Sequence, residues 1–377
     1  MRTAGSPAIG IIGRRLGFKI TFSILMAKIQ IGSAGGAPAN NFIRSINESG
    51  RGDYLIGTSC VASDLFLAQV SEKYVVPPAV ESAYPAALFR LIEKAKPEFI
   101  HLQNDFEVRA VSRLRDQIAA HGVKHFLPAA STVENCVDKE KSYQIWQRAG
   151  LTVPKTMMLH TPQDLKKAFN LYGDTIWVRA IEGGGGRGAL PANNYDFAKI
   201  WIDRYNGWGE FTASELLTKS TVTWLSIWHH GELVVAQTRR RLSWNFGNRT
   251  LSGVTGITGV GETFSDDMVN RVSQDAISSI DDCPHGIFGV DMTYDTSGIP
   301  NPTEINIGRF FTTHYFFTRA GLNMPKIYCD IALDGNFPSL TKRINPLADG
   351  LVWIRGMDVE PVLTTRSAAE EMDARLP

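Results

Sequence analysis

The sequence predicts a protein of mixed α/β and α+β class, in which a doubly wound parallel sheet precedes a larger region of mainly antiparallel strands. Three observations support this prediction. Between residues 28 and 128, short β-like runs alternate with amphipathic helical runs, which is typical of a parallel sheet covered on both faces. The alternation changes near residue 151, where a compact α+β unit follows. From residue 215 onward strands dominate, as in an antiparallel sheet.

The first domain, residues 28–135, begins with the run KIQIGSA. Its predicted strands are 28–34, 53–59, 98–104 and 123–129, and its predicted helices are 39–48, 84–95 and 107–121. The first strand leads into Gly32, Gly35 and Gly36, but the spacing is not GxGxxG. The second strand also ends without the acidic residue that a dinucleotide fold uses to hold ribose. A tight turn is the favoured interpretation, and an anion site at the following helix N-terminus is the alternative.

The second domain, residues 136–345, contains a small lid at about 150–213 and a larger sheet. Its predicted strands are 175–181, 223–229, 232–241, 286–294 and 301–307, with a helix at 266–281. Residues 346–377 are weakly patterned, and we assign this tail no function.

The N-terminal segment, residues 1–27, is predicted to lie outside the fold. Arg14, Arg15 and Lys19 precede the apolar run 20–27, which is too short to span a bilayer. The first core strand begins at Lys28, so we interpret residues 1–25 as an extension, with Met26 as an alternative start. A cleaved secretory signal is the other interpretation.

Size and composition narrow the class of protein. A chain of 377 residues with 44% hydrophobic and 20% charged residues can bury two or three subdomain cores. The formal net charge of +1 provides no overall field that would attract nucleic acid or an anionic membrane. Four cysteines lie far apart and form no CxxC, so neither a zinc site nor a disulfide framework is indicated; they are Cys60, Cys136, Cys283 and Cys329. We expect a cytoplasmic protein with reduced thiols.

The string EGGGGRG, residues 182–188, predicts a phosphate-binding loop. Consecutive glycines allow backbone N–H groups to approach phosphate oxygens closely, and Arg187 adds positive charge. Arg179 lies on the preceding strand, on the face opposite Val178, where a buried arginine would require an anion. The alternative is a flexible surface hairpin beside a solvated arginine.

Two carboxylates in the segment GVDMTYDTSGIPNPTEINIGR predict a metal site. Asp291 and Glu304 lie on strands joined by a turn, and Asn306 faces the same side as Glu304. Carboxylate and amide oxygens suit Mg²⁺, and Arg309 follows within reach. The alternative is a hairpin stabilised by salt bridges to Arg309 and Arg319.

Five strings occur in the order found in the ATP-grasp superfamily, and the chain most resembles its carbamoyl-phosphate-synthase-like and biotin-carboxylase-like branch. They are DK (138–139), VRAIEGGGGRG (178–188), SELL (214–217), VDM (290–292) and EINIGR (304–309). The resemblance extends from about residue 28 to 342 and includes RAGLNMPKI (319–327). It implies an N-terminal α/β domain followed by an ATP-grasp fold, with a small α+β lid and a larger antiparallel-sheet domain.

The resemblance also implies a role for each matched residue. Lys139 and Arg179 would contact ATP phosphates, and Arg309 would hold the transferred phosphate or an acyl phosphate, which makes Arg179 and Arg309 the catalytic candidates. The phosphate loop would be Gly183, Gly184, Gly185, Gly186, Arg187 and Gly188, and the adenine segment Glu215, Leu216 and Leu217. The Mg²⁺ ligands, with Mn²⁺ as an alternative ion, would be Asp291, Glu304 and Asn306.

Two departures from the family pattern affect the site. Arg309 lies one residue further from Glu304 than in the common ExNxR form. Residues 220–223 also lack the acidic side chain that often binds the ribose hydroxyls.

The implied activity is that of a carboxylate–amine ligase that forms an amide through an acyl phosphate and releases ADP and phosphate. Its partners would be a small-molecule carboxylate and an amine, with ATP and Mg²⁺ as cofactors and a homodimer as a compatible assembly. The alternatives are a bicarbonate-activating carboxylase or carbamoyl-phosphate-type synthase, and a catalytically silent ATP-binding regulator.

Overall fold

A computed structural model of the chain describes residues 26–182, 186, 188–254, 256–356, 371 and 374. Residues 1–25, Gly183, Gly184, Gly185, Arg187 and most of the tail after residue 356 lie outside the described residues. The described part contains a five-stranded, a four-stranded and a six-stranded sheet.

The N-terminal domain is a parallel sheet of strand order β3-β2-β1-β4-β5. Its strands are β1 (Lys28–Ile31), β2 (Tyr54–Ser59), β3 (Glu72–Val75), β4 (Phe99–His101) and β5 (Lys124–His125). Its helices are α1 (Ala37–Asn47), α2 (Ala62–Leu65), α3 (Tyr84–Ala95), α4 (Asp105–Arg113) and α5 (Arg115–Ala120). The predicted helix 107–121 is therefore two helices, because the backbone of Leu114 (φ −102°, ψ 3°) leaves the helical conformation.

Successive residues of this sheet pack into different cores, as a doubly wound sheet requires. Leu55 and Phe99 join one apolar cluster with α1, while their neighbours Ile56 and Ile100 join another with α3 and α4. The predicted doubly wound domain is confirmed. Its first turn is tight, since Gly35 has φ +97° and a Cβ there would lie 1.9 Å from the carbonyl oxygen of Asp64.

A helical connection leads from this domain into a small α+β unit with its own apolar core. The connection is α6 (Ala130–Val137) and α7 (Lys139–Arg148). The unit contains β6 (Thr156–Met158), α8 (Pro162–Tyr172), β7 (Ile176–Ala180), β8 (Leu190–Ala192), α9 (Tyr195–Arg204) and β9 (Phe211–Glu215), with antiparallel order β6-β9-β7-β8. Eleven buried side chains between Leu159 and Ala213 form its core. This unit corresponds to the predicted lid.

The large sheet is antiparallel, with strand order β14-β13-β10-β11-β12-β15. Its elements are β10 (Thr221–His229), β11 (Glu232–Trp244), β12 (Thr258–Thr263), α10 (Asp267–Ile280), β13 (Gly286–Tyr294), β14 (Pro300–Ile307) and β15 (Val352–Ile354). Residues 352–354, assigned above to the tail, thus form an edge strand. After β14, α11 (Tyr315–Arg319) and α12 (Met324–Cys329) pack on α1, and a π-helical turn (Asp330–Asp334) follows.

Strand β12 lacks an apolar pattern because its glycines accommodate side chains of the neighbouring chain segments. A Cβ at Gly261 would lie 2.8 Å from Cδ of Arg239, and one at Gly259 would lie 2.3 Å from Oδ1 of Asn245. The strand was therefore not predicted, since its sequence TGVGET carries no alternating hydrophobic signal.

Candidate active site

A cleft of about 310 Å³ lies where the lid, the large sheet and the helices α4, α6 and α7 meet. Its walls include Asp105 and Arg109 on α4, Lys139 on α7, and Gly186 in the lid loop. The large sheet supplies the floor: Thr223, Arg239, Arg241, Asp291, Glu304 and Asn306.

The predicted metal ligands are neighbours in the large sheet. Asp291 on β13 pairs directly with Glu304 on β14. Asn306 Nδ2 donates a hydrogen bond to Asp291 Oδ2 at 3.1 Å, and the hydroxyl of Thr223 on β10 donates to Asp291 Oδ1. The structure therefore brings all three residues together on one side of the sheet.

A β-bulge shapes this part of the hairpin. The register shifts after Asp291, which faces Glu304, to Met292, which faces Pro302, so Thr303 is the extra residue. Its hydroxyl donates to the Asp291 carbonyl oxygen at 3.0 Å, and its own carbonyl oxygen accepts a 2.9 Å hydrogen bond from Arg179 Nη2. The bulge thus joins the lid arginine to the strand that carries Glu304.

Lys139 and Arg179 bring positive charge close to Glu304. Lys139 is the first residue of α7, a helix capped by Asp138, and its Nζ lies 3.6 Å from Glu304 Oε2. Burial lowers the pKa of Lys139, although the carboxylate of Glu304 opposes this shift. Burial also lowers the pKa of Arg179, and Glu304 again opposes it. Both shifts indicate cations held in a weakly solvated site that would favour an anionic ligand.

Arg309 is held by a carboxylate that sequence reasoning missed. Its Nε donates to Asp105 Oδ1 at 2.5 Å and its Nη2 to Asp105 Oδ2 at 3.0 Å, a bidentate pair. Burial alone would raise the pKa of Asp105, but the guanidinium of Arg309 holds it below its usual range. Arg309 Nη2 also donates to Asn306 Oδ1 at 2.5 Å, so Arg309 contacts one predicted metal ligand directly.

Two further arginines, not predicted as site residues, lie on the cleft floor. Arg239 donates to the hydroxyls of Thr223, Thr258 and Thr313 at 2.7 to 2.9 Å. Burial, with the like charge of Arg241, lowers the pKa of Arg239 to about 9. Arg241 Nη2 lies 3.7 Å from Asp291 Oδ1.

The run RRR at residues 239–241 could have predicted this pair of arginines. Side chains alternate between the two faces of a strand, so Arg239 and Arg241 must share one face while Arg240 lies on the other. Arg239 and Arg241 face the cleft, whereas Arg240 faces outward and donates to Glu262 Oε2 at 2.5 Å.

The described part of the glycine loop requires glycine at two positions. Gly186 has φ +72°, and a Cβ there would lie 2.8 Å from the carbonyl oxygen of Val254 in the large domain. Gly188 has φ +73° and packs against the ring of Phe211. Glu182, at the start of the loop, accepts hydrogen bonds from Arg109 Nη1 at 3.2 Å, and Arg109 also pairs with Glu134.

The predicted adenine segment lies outside the cleft lining described above. Glu215 ends β9, where its Oε1 accepts a 2.9 Å hydrogen bond from the backbone N–H of Lys155. Leu216 is exposed and Leu217 follows it at the lid boundary. Their assignment to adenine stays a prediction.

Comparison with solved structures identifies the architecture. The chain is similar to a biotin carboxylase domain dimer of the Hydrogenobacter thermophilus 2-oxoglutarate carboxylase, solved with MgADP and bicarbonate. The TM-score is 0.64 at 16% identity, covering 87% of this chain and 73% of that one. It is also similar to an L-amino acid ligase from Bacillus licheniformis, with a TM-score of 0.61 at 14% identity over 82% and 74% of the two chains. The chain has the ATP-grasp fold.

One curated relative supports the same ATP-grasp resemblance. It is a probable alpha-L-glutamate ligase from Alkalilimnicola ehrlichii, 30% identical over 106 residues, which are 28% of this chain. The match spans about a third (35%) of that relative's length. No family model matches the chain. The predicted resemblance to ATP-grasp ligases is confirmed by these proteins, whereas the individual ligand and metal contacts remain predictions.

Two other features of the chain concern its thiols and helices. All four cysteines are free, with Cys60 and Cys283 exposed and Cys136 and Cys329 buried. Across the described residues, no helix has the length and apolar character needed to span a bilayer.

Proposed function

We propose that the protein is an ATP-dependent carboxylate–amine ligase that activates its carboxylate substrate as an acyl phosphate and releases ADP and phosphate. The observation that carries this proposal is the Asp291–Glu304 pair, set among positively charged side chains at the cleft. Such an arrangement suits a polyphosphate that shares a metal ion with protein carboxylates.

The oxygen donors fit Mg²⁺. Asp291 and Glu304 supply carboxylates, and Asn306 supplies an amide oxygen, which accepts one hydrogen bond from Arg309 and has a second lone pair for a metal ion. When bound, Mg²⁺ would neutralise charge on the phosphates and make the terminal phosphorus easier to attack. Lys139 Nζ lies 3.6 Å from Glu304 Oε2 and Arg241 Nη2 lies 3.7 Å from Asp291 Oδ1, so each carboxylate already has a cationic neighbour.

The cationic side chains divide into two groups according to their positions. Lys139 and Arg179 lie beside Glu304 at the lid side, where they would bind the phosphates of ATP. Arg239 and Arg241 lie across Asp291 on the sheet, where they would hold the substrate carboxylate. The fixed cations of both groups would stabilise the negative charge of the phosphoryl group while it is transferred from ATP to the carboxylate.

The reaction then needs little covalent chemistry from the protein. A carboxylate oxygen attacks the terminal phosphorus, the bond from that phosphorus to the ADP oxygen breaks, and an acyl phosphate forms. The amine nitrogen attacks the acyl carbon, phosphate leaves, and the nitrogen loses a proton to solvent. Closure by the glycine loop would keep water from the acyl phosphate.

A bicarbonate-activating enzyme is the second candidate, favoured by the similarity to a biotin carboxylase domain solved with bicarbonate. The two candidates differ in the first substrate. A small-molecule carboxylate should support amine-dependent ADP formation in the absence of bicarbonate, whereas a carboxylase should require bicarbonate.

The test is a screen of amino acids and small carboxylates, with and without amines, for release of ADP. A carboxylate that supports turnover is then labelled with ¹⁸O, and we expect one ¹⁸O atom to appear in inorganic phosphate for each product formed. Release of AMP and pyrophosphate, or phosphate without label, would overturn the acyl-phosphate mechanism. A Glu304→Gln chain serves as the control for contaminating ATPases.

A further inference from the structure

A group of three histidines lies at the opposite end of the strands that carry the cleft residues. His229 ends β10, His230 lies in the turn to β11, and His285 directly precedes β13. One ring nitrogen of each lies within 4.8 Å of those of the other two. Asp291 is six positions after His285, so the group is roughly 20 Å along the strand from the predicted Mg²⁺ ligands.

Two hydrogen bonds connect the two backbone segments that carry these histidines. The N–H of His230 donates to His285 Nδ1 at 3.4 Å, and the N–H of Gly231 donates to the Pro284 carbonyl oxygen at 2.9 Å. His230 has φ +47° and Gly231 has φ +86°, the backbone of a tight hairpin turn. Three side chains from two distant segments therefore converge before any ligand is present.

Aromatic rings form one wall of the group. The ring of Phe126 lies 4.3 Å from that of His285, and Phe337 lies 5.0 Å from His229. The rings of His230 and His285 stack at 4.3 Å. Imidazole nitrogens are among the commonest protein ligands of transition-metal ions.

We propose that His229, His230 and His285 bind a divalent transition-metal ion of the zinc class, with solvent in the remaining coordination position. Three imidazoles with one open position are a common zinc set, whereas nitrogen donors disfavour Mg²⁺. Zinc–nitrogen bonds of about 2.0–2.1 Å place tetrahedral ligand nitrogens roughly 3.4 Å apart. The ring nitrogens lie no more than 4.8 Å apart, so they must close by at most about 1.4 Å (4.8 minus about 3.4 Å), and the side chain of His230 is exposed.

Such an ion would connect the β10–β11 hairpin to the 284–286 segment, which packs tightly on the N-terminal domain. A Cβ at Gly286 would lie only 2.9 Å from the carbonyl oxygen of Phe126, so this segment has little freedom to move. We expect zinc to raise the melting temperature of the full chain without being required for turnover, since the cleft is remote.

The test is a zinc titration of the full chain by calorimetry, with excess Mg²⁺ present to occupy oxygen sites. We expect one zinc ion per chain, and with Co²⁺ the visible absorption of a nitrogen-ligated four-coordinate ion. His230→Asn should keep the turn, because Asn tolerates positive φ. It should nevertheless weaken zinc binding by more than the roughly 10–100-fold cost of losing a supporting contact. His285→Asn should weaken zinc binding to a similar extent. The control is His160→Asn, which changes an exposed histidine of the lid and should leave zinc affinity unchanged.

Three results would overturn the proposal. The first is absence of one-to-one zinc binding by the wild-type chain. The second is zinc affinity that is unchanged in both His230→Asn and His285→Asn. The third is zinc binding that disappears in Cys283→Ser while the histidine variants keep it, because the exposed thiol of Cys283 lies close to Gly231.

Discussion

Neutralising Asp291 should reduce both activity and stability, and the loss of stability can be estimated from the cleft geometry. In Asp291→Asn, the guanidinium of Arg241 loses a carboxylate 3.7 Å away, and Thr223 and Asn306 lose a charged acceptor. Coulomb's law at an effective dielectric constant of 20 gives an upper bound of about 4.5 kcal/mol for one such pair. Because the Asp291 side chain is 21% exposed, we expect a loss of about 2–3 kcal/mol in the free energy of unfolding.

Glu304→Gln should destabilise the protein less, although its ion pair has a similar length. Glu304 faces Lys139 at 3.6 Å, and the pKa of this lysine is already lowered by burial. A buried ammonium can release its proton when its partner is removed, whereas the guanidinium of Arg241, which faces Asp291, gives up its proton far less readily. We expect a loss of about 1 kcal/mol with the same loss of ADP formation as in Asp291→Asn.

The assay is urea unfolding in EDTA, which removes any contribution from bound metal, together with ADP release in Mg²⁺. Glu262→Gln is the matched control, because it removes a carboxylate from the outward-facing Arg240 of the same strand and should change neither property much. Equal stability of all three variants, or turnover near wild type in Asp291→Asn or Glu304→Gln, would refute the reasoning.

Two further predictions concern other elements. Burial raises the pKa of Glu107 to about 7 from an ordinary value of 4.5, so the folded state binds this proton more tightly than the unfolded state. Its contribution of about 3 kcal/mol is present below pH 4.5 and is lost as the pH rises to about 7. Glu107→Gln should therefore flatten the pH dependence of unfolding, and an unchanged profile would contradict this. Gly186→Ala should slow ADP formation more than Gly253→Ala, a matched control with similar φ (+71°) but open space at the Cβ, and equal rates would count against packing of the loop on Val254.

The parts of the fold that the sequence predicted are those with strong local patterns. The apolar runs that predicted β1, β2, β13 and β14 do form strands, because most residues of each of these strands are buried. Strand β12 was missed because its glycines leave room for the side chains of Arg239 and Asn245, which belong to other segments of the chain. Contacts between distant segments produce no pattern in a short stretch of sequence and so cannot be predicted from it.

The residues of the candidate site also fall into those that local sequence patterns predicted and those that they did not. Asp291, Glu304 and Asn306 could be placed together from strand periodicity and one turn. Asp105 could not, because its role depends on Arg309, which is 204 residues away in the chain. The histidine group was missed for the same reason, since His285 joins His229 and His230 only through the pairing of β10 with β13.

The alternation of Arg239, Arg240 and Arg241 has a consequence for how this chain can change during evolution. Because successive residues of β11 face opposite sides, inserting or deleting one residue before Arg239 would reverse the orientation of the whole run. The two cleft cations would then point to solvent, and the side chain that pairs with Glu262 would enter the cleft. Point substitutions can adjust this strand gradually, but length changes can accumulate only outside it, as in the 245–257 connection between β11 and β12.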